Sequence, residues 1–249
     1  MSRLQFTKMQ GLGNDFVVLE GPAKPTTEEV IHLCDRRFGI GADGVLVVSP
    51  GTPIVMDYWN ADGSAAEMCG NGLRCVARYG YDRGWVDSPD FEIDTPLGIR
   101  KARVGQHLVE VEIGPTLIEG EETIEGDVYR LVDTGNPHAV RVVDELDTID
   151  LGRVGPLVAR EAGFDAGCNV ELVVLAGDEV TMRVWERGVG ETLACGTGMV
   201  AVAAVALDGR DGTIRVNVPG GVGQVEIIDK VAWLTGPAEY VFTGVLDQG

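Results

Sequence analysis

Residues 185–207 read WERGVGETLACGTGMVAVAAVAL, a polar, glycine-bearing approach that delivers Cys195 to the start of a strongly apolar helical run. A cysteine so placed faces the unoccupied backbone N–H groups of Gly196, Thr197 and Gly198, whose partial positive charge favours a thiolate and a bound carboxylate. On that basis the Cys195 thiol is expected to fall from a pKa of about 8.5 into the range of roughly 3.5–7.5. Taken by itself, such a cysteine reads more simply as a small buried hydrophobe beside an Ala/Val-rich helix. Residues 59–80, WNADGSAAEMCGNGLRCVARYG, repeat the construction. Trp59 precedes Cys69 by ten positions, as Trp185 precedes Cys195, and each cysteine opens a Cys-Gly-x-Gly. Two matching thiols at two helix starts imply one shared site.

The repetition extends outward from the cysteines. Gly13–Val18 (GNDFVV) matches Gly135–Val140 (GNPHAV) at a separation of 122, and Gly41–Val48 (GADGVLVV) matches Gly167–Val174 (GCNVELVV) at 126. Pro96-Leu97-Gly98 and Pro219-Gly220-Gly221 stand 123 apart, each leading into an alternating run. Four pairs in the same order at nearly one spacing indicate an internal duplication. Each half reads as a strand with a Gly-Asn turn, a helix, a Val-rich strand, a Trp-bearing strand, the cysteine helix and further strands. The spacing predicts helices over Thr27–Arg37 and Gly155–Ala162. Strands are predicted over Val45–Val48, His107–Ile113, Val170–Leu175, Val180–Glu186, Ile214–Val218, Gly223–Ile228 and Val231–Leu234. Met199–Leu207 is apolar all round, which predicts a helix buried inside a sheet with only its N-terminus functional. Thr116–Asp127 (TLIEGEETIEGD) is acidic and reads as the connection, placing one half at 1–116 with 239–249 and the other at 117–238.

With 249 residues, 45% hydrophobic and 24% charged, the chain has the composition of a soluble globular protein with a substantial core. Its 20 Lys and Arg against 39 Asp and Glu leave a net charge of −19, which repels nucleic-acid phosphates and anionic membranes. The opening MSRLQFTKMQ lacks the apolar core of a signal peptide, and Met199–Leu207 is too short to cross a bilayer, so the cytoplasm is expected. Five cysteines (34, 69, 75, 168, 195) without Cys-x-x-Cys or zinc spacing indicate neither a disulfide framework nor a metal site. Cys34, Cys75 and Cys168 are read as packing residues. His32, His107 and His138 are scattered in sequence and form no evident ligand set.

Together the motifs GLGNDF (11–16), RRFGIGADG (36–44), NADGSAAEMCGNGLRC (60–75), GNPH (135–138), NVEL (169–172) and ERGVGETLACGTG (186–198) resemble the diaminopimelate epimerase family, from Phe6 to Phe242. The resemblance implies an α/β (α+β) fold of two similar halves, each a mixed, curled β-sheet around a central helix, with substrate in the cleft between them. It implies cofactor-independent interconversion of the LL and meso isomers of diaminopimelate, on the route to lysine and peptidoglycan. The family's catalytic cysteines fall on Cys69 and Cys195. Its substrate contacts fall on Asn14, Asn60, Gly70, Asn71, Asn136, Asn169, Glu186, Arg187, Gly196 and Thr197, with His138 in support. Gly44 departs from the pattern, standing where several relatives carry a Gln that touches substrate. The expected partner is the small molecule, with a homodimer as the assembly and neither nucleic acid nor membrane.

The chemistry of the residues agrees. Inverting a carbon removes a proton from one face and returns one to the other, so two acid/base groups must flank it, and two thiols in opposite protonation states suffice. The N–H groups at Gly70/Asn71 and Gly196/Thr197 would meet the charge developing on the α-carboxylate. Simpler readings stand beside these. Asn14, Asn136 and Asn169 follow the pattern of turn residues. Arg187 reads equally as a surface ion pair or as a bidentate grip on a distal carboxylate, and Glu186 as a solvated charge. His138 reads as a structural histidine. A proline or hydroxyproline racemase of the same architecture also pairs two cysteines. A thiol hydrolase built on Cys, His138 and Asn leaves the second Cys-Gly-x-Gly unexplained. A duplicated amino-acid binding protein would retain the scaffold without proton exchange.

Overall fold

A computed structural model describes residues 2–66 and 69–248. The chain divides into two compact units, Met1–Val111 with Pro237–Gly249, and Glu112–Gly236.

The first unit begins with a hairpin. Strands β1 (Ser2–Gly11) and β2 (Asn14–Glu20) are joined by Leu12 and Gly13, both at positive φ (56° and 82°). A two-residue loop with left-handed central residues matches the twist of the flanking strands, and here it puts Asn14 opposite Gly11 at the head of β2. Helix α1 (Thr27–Cys34) starts on a capping box in which Thr26 and Glu29 satisfy each other's backbone N–H. It stops at Cys34, short of the predicted Arg37, because the Asp35 carboxylate accepts from the N–H groups of Arg37 and Phe38 and draws them into a turn. Strand β3 (Gly44–Ser49) then runs parallel to β2 with Phe16 opposite Gly44, and β4 (Ile54–Asn60) returns antiparallel with Gly44 opposite Asn60. Helix α2 (Gly70–Asp82) packs against β1 to β4 and β6, and the unit continues through β5 (Asp90–Thr95), β6 (Gly98–Val104) and the start of β7 (Leu108–Pro115). Val45 and Val47 of β3 face the α1 cluster, while Leu46 lies against Gly72 of α2. Coverage on both faces explains why VLVV is an unbroken apolar run.

The second unit opens with β8 (Leu117–Ile124), paired antiparallel with β9 (Asp127–Asp133). The acidic stretch read as a connection is therefore a strand. Its Glu119, Glu121 and Glu122 are solvent-exposed, and that outward charge gave the sequence the look of a linker. After β10 (Pro137–Val142), helix α3 (Leu151–Glu161) is capped by Asp150 and starts four residues earlier than predicted. Gly152, Gly155 and Pro156 weaken its helical signal, and Gly155 is needed because a Cβ there would stand 2.4 Å from the Trp185 ring. Strand β11 (Asn169–Ala176) is parallel to β10 with His138 opposite Asn169, and β12 (Glu179–Glu186) returns beside it, followed by short β13 (Gly190–Thr192). Helix α4 (Gly196–Ala206) is surrounded by β8 to β12, β14 (Gly212–Val218) and β15 (Gly221–Ile228). Every residue from Gly196 to Val205 is buried, as the all-round apolar pattern predicts, each Val contributing about 1.5–3 kcal/mol over exposure. After β16 (Val231–Pro237), β17 (Glu239–Gln248) returns to pair with β1 in the first unit.

The duplication survives in the ladders with one change. Val45 pairs with Trp59 and Val170 with Trp185, so β3 and β11 correspond at a separation of 125, not the 126 of the sequence match. Gly41 and Gly167 keep 126 and both have positive φ, but β11 begins one residue sooner after its glycine. In the corrected register Leu46 corresponds to Glu171, and Gly44 to Asn169.

Candidate active site

Each cysteine is the N-cap of its helix. Cys69 has an extended backbone (φ −146°, ψ 105°) and its Sγ accepts from Gly72 N–H at 3.3 Å. Cys195 (φ −118°, ψ 117°) does the same with Gly198 N–H at 3.4 Å. The third helical N–H at each start is thus directed at sulfur, as a Ser or Asp cap would direct it at oxygen.

In the first unit Asn14 and Asn71 gather at Cys69. Asn14 Oδ1 lies 3.5 Å from Cys69 Sγ, which donates to it, and 3.3 Å from Asn71 Nδ2. Asn71 Oδ1 accepts from Arg74 Nη2 at 2.7 Å, and Asn14 Nδ2 donates to Asp43 Oδ2 at 2.7 Å. Because a guanidinium only donates and a carboxylate only accepts, the two ends fix which way both amides point. Asp43 and Asp15 share Arg36, and Asp15 also binds Lys8 at 2.6 Å. Burial pushes Asp15 up, but the hydrogen bonds and charges of Arg36 and Lys8 hold it at about 2. Asn60 ends β4 and donates to Ser64 Oγ at 3.1 Å, in a turn of its own. A Cβ on Gly44, opposite Asn60, would stand 2.5 Å from Trp59 O and 2.5 Å from Tyr58 Cε2. The Tyr58 ring packs where a side chain at 44 would begin.

In the second unit Thr197 Oγ1 lies 3.4 Å from Cys195 Sγ. His138, fully buried, has Nδ1 2.7 Å from Glu171 Oε1 and Nε2 3.1 Å from Asn136 Oδ1. Asn169 Oδ1 accepts from the Arg187 backbone N–H at 2.9 Å, which ties the head of β11 to the turn after β12. The exposed Arg187 side chain donates to Ala166 O and Gly167 O, both at 3.1 Å, and among the described residues it forms no ion pair. Glu186 accepts from Thr192 Oγ1. The expected low pKa at Cys195 is overturned: burial pushes the thiol well above its ordinary range, and Glu186 and Glu171 add to the rise. The Thr197 hydroxyl and Gly198 N–H oppose this only in part. A helix start lowers a thiol pKa where water and positive charge reach it, and here desolvation wins.

Cys34, Cys75 and Cys168 are buried, and burial raises their thiols to about 11, 12 and 12. They remain packing residues. Among the described residues no cluster of three His, Cys, Asp or Glu side chains could hold a metal ion, and no helix is long and apolar enough to cross a membrane. Arg74, Asp43 and Glu171 were missed by the sequence reading. Glu171 carried the clearest signal, a carboxylate inside the apolar run VELVVL.

The family model for diaminopimelate epimerase matches residues 6–118 and 130–241. A diaminopimelate epimerase of Desulfitobacterium hafniense is 39% identical, covering 98% of both chains. That of Xylella fastidiosa strain M12 is 42% identical, covering 97% of this chain and 96% of its own. Among solved structures, a PhzF-family phenazine biosynthesis protein of Bacillus anthracis superposes with a TM-score of 0.80 over 100% of both chains at 15% identity. A hydroxyproline epimerase of Agrobacterium vitis, with bound trans-4-hydroxy-L-proline, gives 0.76 at 14% identity over 98% of this chain and 92% of its own. At such identities the likeness is one of fold.

Proposed function

The chain belongs to the diaminopimelate epimerase family, and on that premise we propose that Cys69 and Cys195 are the acid and base that epimerise LL-2,6-diaminopimelate to the meso isomer. One observation carries the assignment: the two thiols cap two equivalent helices, each accepting the third helical N–H. In the productive state one is a thiolate that takes the α-proton, and the other is a thiol that returns a proton to the opposite face. In the reverse direction they exchange roles. The helix starts at Gly70/Asn71 and Gly196/Thr197 supply N–H donors for the charge that develops on the α-carboxylate. Asn14, fixed by Asp43 and Asn71, presents an acceptor to the Cys69 thiol, while Glu171 holds His138, whose other ring nitrogen meets Asn136. Asn60, Asn169, Glu186 and Arg187 complete the binding residues in this reading. Two thiols move both protons, so the reading requires neither pyridoxal phosphate nor metal. It keeps the cytoplasm and a homodimer as the setting.

The test is LL-diaminopimelate in D2O, followed by chiral analysis and mass spectrometry. The expected result is meso product carrying one solvent deuteron at the inverted carbon. Binding without deuterium incorporation would make the chain a binding protein, and activity lost to chelator and restored by a metal ion would overturn the two-thiol chemistry.

Arg187 is proposed to grip the distal carboxylate with its planar fork. Arg187→Lys keeps the charge but loses two parallel hydrogen bonds, so KM is expected to rise about tenfold, matching the loss of roughly 1.4 kcal/mol of binding. Unchanged KM and kcat would place Arg187 outside the site.

A further inference from the structure

The cysteine helices are duplicates, but the buried polar groups behind them are not. In the first unit the residues at the corresponding ladder positions are Phe16 and Leu46, both buried, and the helix itself carries Arg74 at 0% exposure. In the second unit those two ladder positions hold His138 and Glu171, each at 0% exposure, and the helix position of Arg74 is taken by Val200. One half therefore encloses a cation where the other encloses a carboxylate.

Arg74 is held by neutral groups: Asn71 Oδ1 at 2.7 Å, Pro237 O at 3.2 Å and Gly70 O at 3.4 Å. Among the described residues it has no ion-pair partner. Glu171 Oε1 pairs with His138, while Oε2 is buried with no hydrogen-bond partner among the described residues. A Cβ on Gly198 would lie 2.7 Å from Glu171 Oε1, so this carboxylate sits directly against the helix start that Cys195 caps.

We propose that Arg74 and Glu171 are positioning residues that make the two thiols unequal, Cys69 being the one that ionises first and Cys195 the one that keeps its proton. This rests on the paired-thiol reading above. The charges facing each sulfur support it. Around Cys69 stand Arg74 and Cys75 of α2 and, behind Asn14, Asp43 and Asp15 with Arg36 and Lys8. Among the described residues the two carboxylates are matched by Arg36 and Lys8, which leaves Arg74 in excess. Asn14 Oδ1 accepts the Cys69 proton in this structure, and the guanidinium favours the thiolate once that proton leaves. Around Cys195 stand Glu171 of β11, Glu186 of β12 and His138 of β10, and α4 itself carries no charge. Here the excess is negative. In the forward step the Cys69 thiolate forms an S–H bond with the α-proton, while the Cys195 S–H bond breaks and its proton bonds the carbon. That leaves Cys69 as thiol and Cys195 as thiolate, the arrangement the buried charges disfavour. Proton exchange between the thiols and solvent is thereby driven back toward the starting state.

The experiment is alkylation of the full chain by iodoacetamide across a pH series without substrate. The thiolate displaces iodide, and each cysteine peptide is quantified by mass spectrometry. The midpoint in pH, rather than the limiting rate, is compared, so that unequal access does not enter. Cys69 is expected to show a midpoint at least about one pH unit below that of Cys195. Arg74→Met should raise the Cys69 midpoint and Arg74→Lys should hold it near wild type, with Cys195 unmoved in both. Glu171→Gln should lower the Cys195 midpoint and leave Cys69 in place. Equal midpoints, Cys195 reacting first, or an unmoved Cys195 midpoint in Glu171→Gln would overturn the proposal. If Arg74→Met does not fold, the wild-type order and the nearly isosteric Glu171→Gln still decide. No diaminopimelate is present, so a wrong order with intact deuterium exchange refutes only this assignment. The expected order without exchange refutes only the epimerase chemistry.

Discussion

Alanine at Cys69 or at Cys195 is expected to abolish inversion, with kcat for LL-to-meso conversion falling by at least roughly 100- to 10,000-fold, the usual worth of one positioned acid or base. The two variants should fail differently. Each retains the thiol serving one face, so one exchanges the α-proton of the LL isomer with solvent and the other that of the meso isomer, without inverting either. The loss should be chemical and not structural. Both cysteines cap helices whose interiors are buried regardless of the cap, and α4 is buried from Gly196 to Val205. Loss of a cap costs about 0.5–2 kcal/mol, which a folded chain of this size survives. Cys→Ser variants, which keep a capping oxygen, control for that cost. Deuterium wash-in with each pure isomer, followed by chiral chromatography, reads the outcome. Inversion at the wild-type rate in either variant would remove that cysteine from the mechanism.

Much of the architecture was legible because the duplication repeats its own punctuation. Gly13-Asn14 and Gly135-Asn136, the positive-φ glycines 41 and 167, and the Trp-to-Cys spacing each mark a position where backbone geometry restricts the residue. The asparagines beside those glycines read as turn residues from spacing, and only the family resemblance made them candidates for the site. What escaped were contacts set by tertiary packing. Arg74 lies inside a helix that reads as ordinary, and nothing local shows that its guanidinium is enclosed and turned back on Asn71 and Pro237 O. Glu171 looked like one polar residue in a strand, and only the one-residue slip of the ladder turns it toward α4 instead of α3. The sign of the Cys195 shift was misjudged for a related reason: a helix N-terminus can be read from sequence, but the depth of burial around it cannot. Charge also misled at Thr116–Asp127, where outward-facing glutamates on β8 imitate a linker.

The two helix starts offer a second large effect, in which equivalent glycines should respond in opposite ways. Alanine is the better helix former by about 0.8–1.0 kcal/mol, so propensity alone favours both Gly72→Ala and Gly198→Ala. At Gly72 the new Cβ would meet the terminal Cδ2 of Leu46 at 3.2 Å and the Cys69 Cβ and Sγ at 3.4 Å. A leucine methyl can give by a few tenths of an ångström, so the contact cost and the propensity gain nearly cancel. At Gly198 the Cβ would stand 2.7 Å from Glu171 Oε1 and 3.3 Å from the Cys195 Cβ. That carboxylate is fully buried and anchored on His138 Nδ1 at 2.7 Å, so it cannot retreat without stretching a buried pair. Overpacking of this kind costs about 1–3 kcal/mol, and a broken buried pair about 3–5 kcal/mol, both larger than the helix gain. Gly72→Ala is therefore expected to keep its urea midpoint close to wild type, while Gly198→Ala loses about 2 kcal/mol or more and most of its turnover. Pairing Gly198→Ala with Glu171→Ala should recover part of the stability, because the side chain that met the new methyl is gone, and none of the polarity that Glu171 gives the site. Equal midpoints for the two glycine variants would mean that Glu171 does not press on the start of α4, and the account of Cys195 built on that contact would fall with it.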